Sequence, residues 1–397
     1  MASARPSTGL LARVLAAGVT GLPAVELDLG PLTALVGPRG SGRSQLLAAI
    51  AWLVTGRPRI IPAVGAPVTR VAGELVVDGQ VAGVARSPGA GFVWEPPRPQ
   101  RPALPGCSFL RARDRLNPPP GATGEVGQRL AGMADLATSD ATAAEALVSV
   151  VETCCREQLT GEILLVEEPE LFLTPQAQRY LYRLMRRFAE GGNQVMYSTR
   201  SPAFVDAAHH DEIVRLDLHG GRSLRRTDPE TLTDAERVRL AAQFDHERSE
   251  MFFAQAVVLV EGQTERLSLP FIFGALGHDP DAEGIAIVEV GGKSNLPLAA
   301  RLLRQLEIPF VIVFDADRGA ASAALDAEIH LSAGKAPVFR LEPDFEAAAG
   351  IVSHDDKVLH AWRRFATATA VEVPPALARI VGAVPGLRAS DDGPPVA

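Results

Sequence analysis

Three carboxylates, Glu261, Asp315 and Asp317, have types and positions that could do chemistry. Glu261 follows the apolar run Ala256-Val257-Val258-Leu259-Val260, and Asp315 follows Phe310-Val311-Ile312-Val313-Phe314. Runs this short and this rich in β-branched residues read as buried parallel strands. An acid at the carboxyl end of such a strand sits where open α/β sheets bind ligands. Asp315 and Asp317 are two residues apart, so both project to one side if the extended geometry continues. Acids on adjacent strand ends make a hard oxygen cage suited to Mg²⁺ or Mn²⁺. That cage implies metal-assisted phosphoryl chemistry. Three unrelated strand-end acids facing solvent are the alternative, which fits a lone D-x-D better than this ordered set.

A second constellation lies in the first half. Pro31 to Val36 reads as a short strand, Gly37-Pro38-Arg39-Gly40-Ser41-Gly42-Arg43-Ser44 as a glycine-rich turn, and Gln45 to Val54 as an apolar helix. Strand, glycine turn and helix are the context of a phosphate loop. Glycines at 37, 40 and 42 let backbone N–H groups approach phosphate, and the helix N-terminus adds a favourable dipole. Arg43 takes the place of the usual lysine, with the same charge on a bulkier planar group. The alternative is a glycine turn without a ligand.

These segments resemble known families. Val260-Glu261-Gly262-Gln263-Thr264-Glu265 and Phe314-Asp315-Ala316-Asp317-Arg318-Gly319 look like the two halves of a Toprim domain, the metal-binding fold of topoisomerases, primases and certain nucleases. Val288-Glu289-Val290-Gly291-Gly292-Lys293, between them, fits the same pattern. Ile163 to Glu170 resembles the Walker B segment of ABC-type ATPases. By that resemblance Glu167 would help hold Mg²⁺ and Glu168 would polarise the attacking water. Arg200 stands where the switch segment of that family usually has histidine. Residues 121–160 contain no convincing match to the serine-glycine signature that completes a partner's nucleotide site. The resemblance therefore implies ATP binding with reduced or altered hydrolysis.

The order of the two halves resembles the OLD (overcoming lysogenization defect) family of ATP-dependent nucleases. The fold it implies is α/β: an ABC-type P-loop ATPase domain over 1–248, then a Toprim, Rossmann-like domain over 249–388. A disordered tail is expected over 389–397. Leu341 to Glu346 looks like the acidic segment of that family. It implies one metal among Glu261, Asp315 and Asp317, and a second held by Glu265 with Asp344 or Glu346. On a helix Glu265 would share a face with Glu261. For Asp344 and Glu346 the alternative is a helix N-terminal turn stabilised by acids. Lys357 sits where the family places a basic residue near the scissile phosphate; the alternative is a surface lysine. Only three of the 39 basic side chains are lysine, namely Lys293, Lys335 and Lys357, so a lysine is the rarer letter here.

The implied activity is a metal-dependent DNA endonuclease or nickase, using ATP and Mg²⁺ or Mn²⁺ and acting as a homodimer. The rival is a nucleotide-gated, non-catalytic regulator working with a defence-system partner protein. A topoisomerase or primase lacks support, because all three tyrosines precede residue 200.

Bulk properties bound these readings. A chain of 397 residues suggests two or three domains. Its net charge of −8 argues against a generally basic nucleic-acid coat, though not against a local basic channel. Pro96 to Pro120 carries Arg98, Arg101, Arg111, Arg113 and Arg115 and reads as a long irregular excursion, either touching the DNA backbone or solvated. No apolar run is long enough to span a bilayer, and the opening residues lack a signal-peptide pattern. Three cysteines fit neither a disulfide framework nor a zinc site, so a cytoplasmic setting is expected.

Overall fold

A computed structural model describes the chain except for residues 1–9, 39, 59, 67, 78–79, 96–103, 113–122, 135–142, 218–223, 245–246, 318, 352–355 and 387–397. The expected tail, and Arg98, Arg101, Arg113 and Arg115, therefore lie outside the described residues. The chain divides into two compact units, Met1–Val205 with Asp211–Arg226, and Asp206–His210 with Thr227–Ala397.

The first unit holds a six-stranded sheet and a five-stranded antiparallel one. The strand Leu32–Val36 is buried along its whole length, as a strand covered on both faces must be. Its parallel neighbours are Gln194–Ser198 and Ile213–Leu216. Next to Gln194–Ser198 runs Glu162–Glu167, and beside that Gly106–Arg111, all parallel. One face of this sheet packs on the helix Arg43–Thr55, whose other side meets the antiparallel sheet. The opposite face packs on the helices Ala143–Arg156 and Pro175–Glu190. Thus the apolar helix after the glycine turn lies between two sheets with Gln45 its one exposed residue, which explains its even hydrophobicity.

Within the stretch 96–120, read as irregular, the strand Gly106–Arg111 corrects that reading over its own residues. Flanking prolines mask a six-residue segment that pairs with Glu162–Glu167 in full register. It is the outermost strand of the sheet, where a short, proline-flanked segment is tolerated.

The second unit is built on a wholly parallel sheet, ordered Ile285–Glu289, Ala256–Val260, Phe310–Asp315, Val338–Leu341. From Ala256–Val260 the chain steps to one side, then crosses to Phe310–Asp315 on the other. The strand order therefore reverses between Ala256–Val260 and Phe310–Asp315, and ligands bind outside the carboxyl ends at such a switch point. Glu261 and Asp315 flank it. Helices Gln263–Ala275, Lys357–Phe365 and Pro375–Gly382 cover one face; Leu296–Gln305 and Ala320–Ala333 lie together on the other. Residues 227–248 belong to this unit, where Arg301 pairs with Glu236 of the helix Asp234–Gln243. Among the described residues, no helix is long and apolar enough to cross a membrane.

Gln194 joins the two sheets of the first unit. Fully buried, it accepts from Leu11 N–H at 3.0 Å and donates to the carbonyls of Leu11 and Gly30 at 2.8 and 2.9 Å. Gln194→Leu strands these backbone groups away from water. It should cost about 2–4 kcal/mol in urea unfolding, since each buried unpaired group costs roughly 1–3 kcal/mol. A loss under about 0.5 kcal/mol, the range of neutral surface changes, would contradict the bridging role.

Candidate functional site

In the first unit, pairing register aligns the carboxyl ends of four strands. Leu35 is opposite Ser198, Ser198 opposite Glu167, and Glu167 opposite Arg111. The glycine turn rises from the first of these strands. A Cβ on Gly37 would meet the Leu216 carbonyl oxygen at 2.1 Å, so no larger residue fits. Gly40 faces open space, but its φ of 81° is one that side chains rarely adopt. Gly42 precedes the helix Arg43–Thr55 at a φ of 90°.

Ser44 Oγ donates to Glu167 Oε1 at 2.8 Å. A hydroxyl and a carboxylate oxygen thus sit side by side at a phosphate loop, a hard donor pair that fits Mg²⁺. Arg43 is buried, and its guanidinium donates to the Thr199 carbonyl at 2.5 Å. Burial lowers its pKa and Arg200 pushes the same way, whereas Glu168, Glu170 and Glu167 oppose both. Glu168 adopts a φ of 52° and pairs with Arg200 at 3.3 Å. Glu170, not among the expected site residues, anchors the switch segment. It accepts from Thr199 Oγ1 at 2.9 Å and from Arg200 N–H at 2.7 Å. Only its adjacency to Glu167 and Glu168 hinted at this.

In the second unit the acids gather outside the switch point. Glu261 precedes the helix Gln263–Ala275 rather than lying on it, so the expected shared helical face with Glu265 is corrected. The two acids instead lie on either side of the strand-to-helix turn, near enough for the charge of Glu261 to raise Glu265. Burial pushes Glu265 up to about 7, helped by Glu261 and Glu346. Burial likewise pushes Asp315 up to about 7, helped by Glu265 and then by Glu261 and Glu346. Asp315 Oδ1 accepts from Phe345 N–H at 2.8 Å. Glu346 is buried; one carboxylate oxygen meets Lys357 Nζ at 3.1 Å and the other has no hydrogen-bond partner among the described residues. Lys357 is held above its usual pKa by Glu346 first, with Asp344 and Asp315 adding to it. Its side chain is 45% exposed, so it reaches Glu346 from the surface.

Two other expected ligands point differently. The strand ends at Asp315, so Asp317 lies in the following turn and does not continue the strand geometry. Its carboxylate meets Lys293 at 3.1 Å. Asp344 caps the helix Phe345–Ala349 by accepting from Ala347 N–H at 2.8 Å. Lys293, absent from the expected site, is buried with five neighbours. It meets the Asp315 carbonyl at 2.8 Å, Asp317, Asp326 at 2.8 Å and Ser322 at 3.2 Å, over the Phe314 ring. The signals for it were its place in the segment 288–293 and the rarity of lysine in this chain.

Among the described residues, no three His, Cys, Asp or Glu side chains already enclose a metal position. The physical reason is visible: Asp315, Asp317, Asp344 and Glu346 each turn to a protein donor. Even so, crowded acids, with Glu265 and Asp315 both raised and one oxygen of Glu346 unpartnered, fit a divalent cation.

Family models match in the same order along the chain. An "AAA domain" model matches residues 141–206, which hold Glu167, Glu168 and Arg200. A model for the Toprim domain of proteins like the overcoming lysogenization defect protein matches 252–317, which hold Glu261, Glu265, Lys293, Asp315 and Asp317. The OLD nuclease of Thermus scotoductus is 36% identical over 213 residues, covering 47% of this chain and 40% of that protein. The Old nuclease of Escherichia phage P2 is 28% identical over 164 residues, covering 40% and 28%. The chain thus spans well under half the length of these curated relatives. The C-terminal region of the Burkholderia pseudomallei OLD protein aligns with 33% of this chain and 99% of its own, at 20% identity and a TM-score of 0.28.

The raised acids make a stability prediction for metal-free protein. Glu265 has an ordinary value of 4.5 and a folded value of about 7. Between these the unfolded chain ionises while the folded one holds its proton, so stability falls with rising pH and the penalty is complete above about 7. Glu265→Gln should therefore raise the melting temperature at pH 8 in EDTA, by about 1–3 kcal/mol of stability, and change it little at pH 4. Equal effects at both pH values would contradict the raised value.

Proposed function

We propose that this chain, which is similar to OLD nucleases over part of its length, cleaves DNA with divalent metal ions at the acids of its second unit. The observation that carries this reading is the gathering of Glu261, Glu265, Asp315 and Glu346 at the switch point, where burial first and neighbouring charge second raise Glu265 and Asp315. Glu261, Asp315 and Asp317 would hold one ion, and Glu265 with Asp344 or Glu346 a second. Bound there, the ions would supply Lewis acidity to the phosphate and a nucleophilic water. Asp317 must then leave Lys293, and Glu346 must release Lys357. Lys357 is free at that point to neutralise charge that develops on the scissile phosphate. The strands keep the remaining acids in place, since their apolar residues are buried throughout.

The first unit we read as an ATP site with slow turnover. Ser44 with Glu167 supports the binding of Mg-ATP. Two contacts support slow turnover: Arg43 is occupied by the Thr199 carbonyl, and Arg200 holds the acid that would polarise water. A homodimer is part of this proposal, because two cleaved strands need two such sites.

A plasmid-nicking assay tests the first reading. Wild-type protein should nick with Mn²⁺ or Mg²⁺ and not in EDTA, and Asp315→Asn should be inactive. Lys357→Ala should lower the rate by about 10²–10³, the cost of one transition-state contact, with DNA affinity nearly unchanged. Nicking that persists in EDTA or in Asp315→Asn would exclude the proposal. For the first unit, calorimetry should detect Mg-ATP, with Arg43→Ala weakening it about tenfold. Brisk hydrolysis abolished by Glu168→Gln would contradict slow turnover.

A further inference from the structure

Arg111 is an arginine that the sequence places in a proline-rich excursion and the structure places beside Glu167. It ends the strand Gly106–Arg111 and stands directly opposite Glu167 in the parallel register. In-register neighbours on a pleated sheet project to the same face, so the two side chains meet. Arg111 Nε lies 3.1 Å from Glu167 Oε2. The Arg111 guanidinium also packs over the ring of Phe109, two residues back on the same face. The contact lacks hydrogen-bond geometry at Nε, so charge, not direction, holds the pair. The other oxygen of Glu167 accepts from Ser44. Both oxygens of this acid are thus engaged before any metal or nucleotide arrives.

The energetic logic follows from burial. Only 5% of the Glu167 side chain is exposed. A bare carboxylate there would be costly and would repel an incoming polyphosphate. In a site of this kind the divalent metal normally removes that repulsion, which makes nucleotide affinity strongly metal-dependent. Here a cation already stands at the acid. We propose that Arg111 is a resident counter-ion for Glu167 that takes over the metal's neutralising role, so that nucleotide binding depends only weakly on Mg²⁺. This rests on reading the first unit as a nucleotide site. Mg²⁺ must displace Arg111 from Oε2 to bind there, which further narrows the gap between metal-loaded and metal-free affinity.

The test is binding of a fluorescent ATP analogue to the full chain, with Mg²⁺ and with EDTA. Wild type should show less than about a threefold difference between the two. Arg111→Gln should lose affinity in EDTA and keep it in Mg²⁺, widening the difference to about tenfold or more, the scale of one close charge pair. Arg111→Lys should behave as wild type, because a point charge suffices where no directional bond is made. In Glu167→Gln, adding Arg111→Gln should change nothing further. A large Mg²⁺ effect in wild type that Arg111→Gln leaves unaltered would overturn the inference while leaving the nucleotide site intact. No binding under either condition would overturn both.

Discussion

The crowding of partly buried carboxylates is the constraint on which the second unit depends. Glu261 and Glu265 share one strand-to-helix segment, and Asp315 and Glu346 come from two others, each segment held by an element with other reasons to be there. Ala256–Val260 and Phe310–Asp315 are held by apolar burial, and Phe345 by its fully buried ring. The acids ride on these anchors and cannot separate without disturbing the core. Two of the three lysines in the chain, Lys293 and Lys357, are spent on the same region. Lys293 lies to one side, fixing the turn that carries Asp317 to the helix that carries Asp326. Lys357 lies on the other, beside Glu346.

The first unit meets a similar problem with other means. Glu167, Glu168 and Glu170 project from one strand end, and Arg111, Arg200 and Arg43 surround them. Here each acid has a partner: Arg111 for Glu167, Arg200 for Glu168, and Thr199 with the Arg200 backbone for Glu170. Both units gather their charged side chains at the carboxyl ends of parallel strands, where side chains from neighbouring strands converge. They differ in charge balance. The first is satisfied by its own arginines, whereas the second leaves excess negative charge.

Much of this was legible in the sequence, for a definite reason. The runs 256–260 and 310–314 are apolar without interruption because both faces of those strands are covered, and the acid after each marks the carboxyl end. The glycine turn at 37–42 was legible because positive φ and close backbone approach leave glycine little competition. The strand Gly106–Arg111 was not, since an edge strand flanked by prolines lacks the long buried run of a central one. Lys293 and Glu170 were missed because their roles come from contacts with residues far along the chain, which no local spacing encodes. The turn at Asp317 was misjudged because strand geometry was extended two residues beyond where the ladder ends. The same locality hides Arg111: its meaning depends on which strand lies beside it.

The central claim is that the crowded acids of the second unit are a cation site. The most direct measurement is anomalous X-ray scattering from crystals of the full chain grown with Mn²⁺. A manganese peak should lie within about 2.0–2.3 Å of carboxylate oxygens from Glu261, Glu265 or Asp315, with Glu346 turned toward it. Manganese bound elsewhere, with these acids still paired to their protein donors in a preparation that cleaves DNA, would contradict the account.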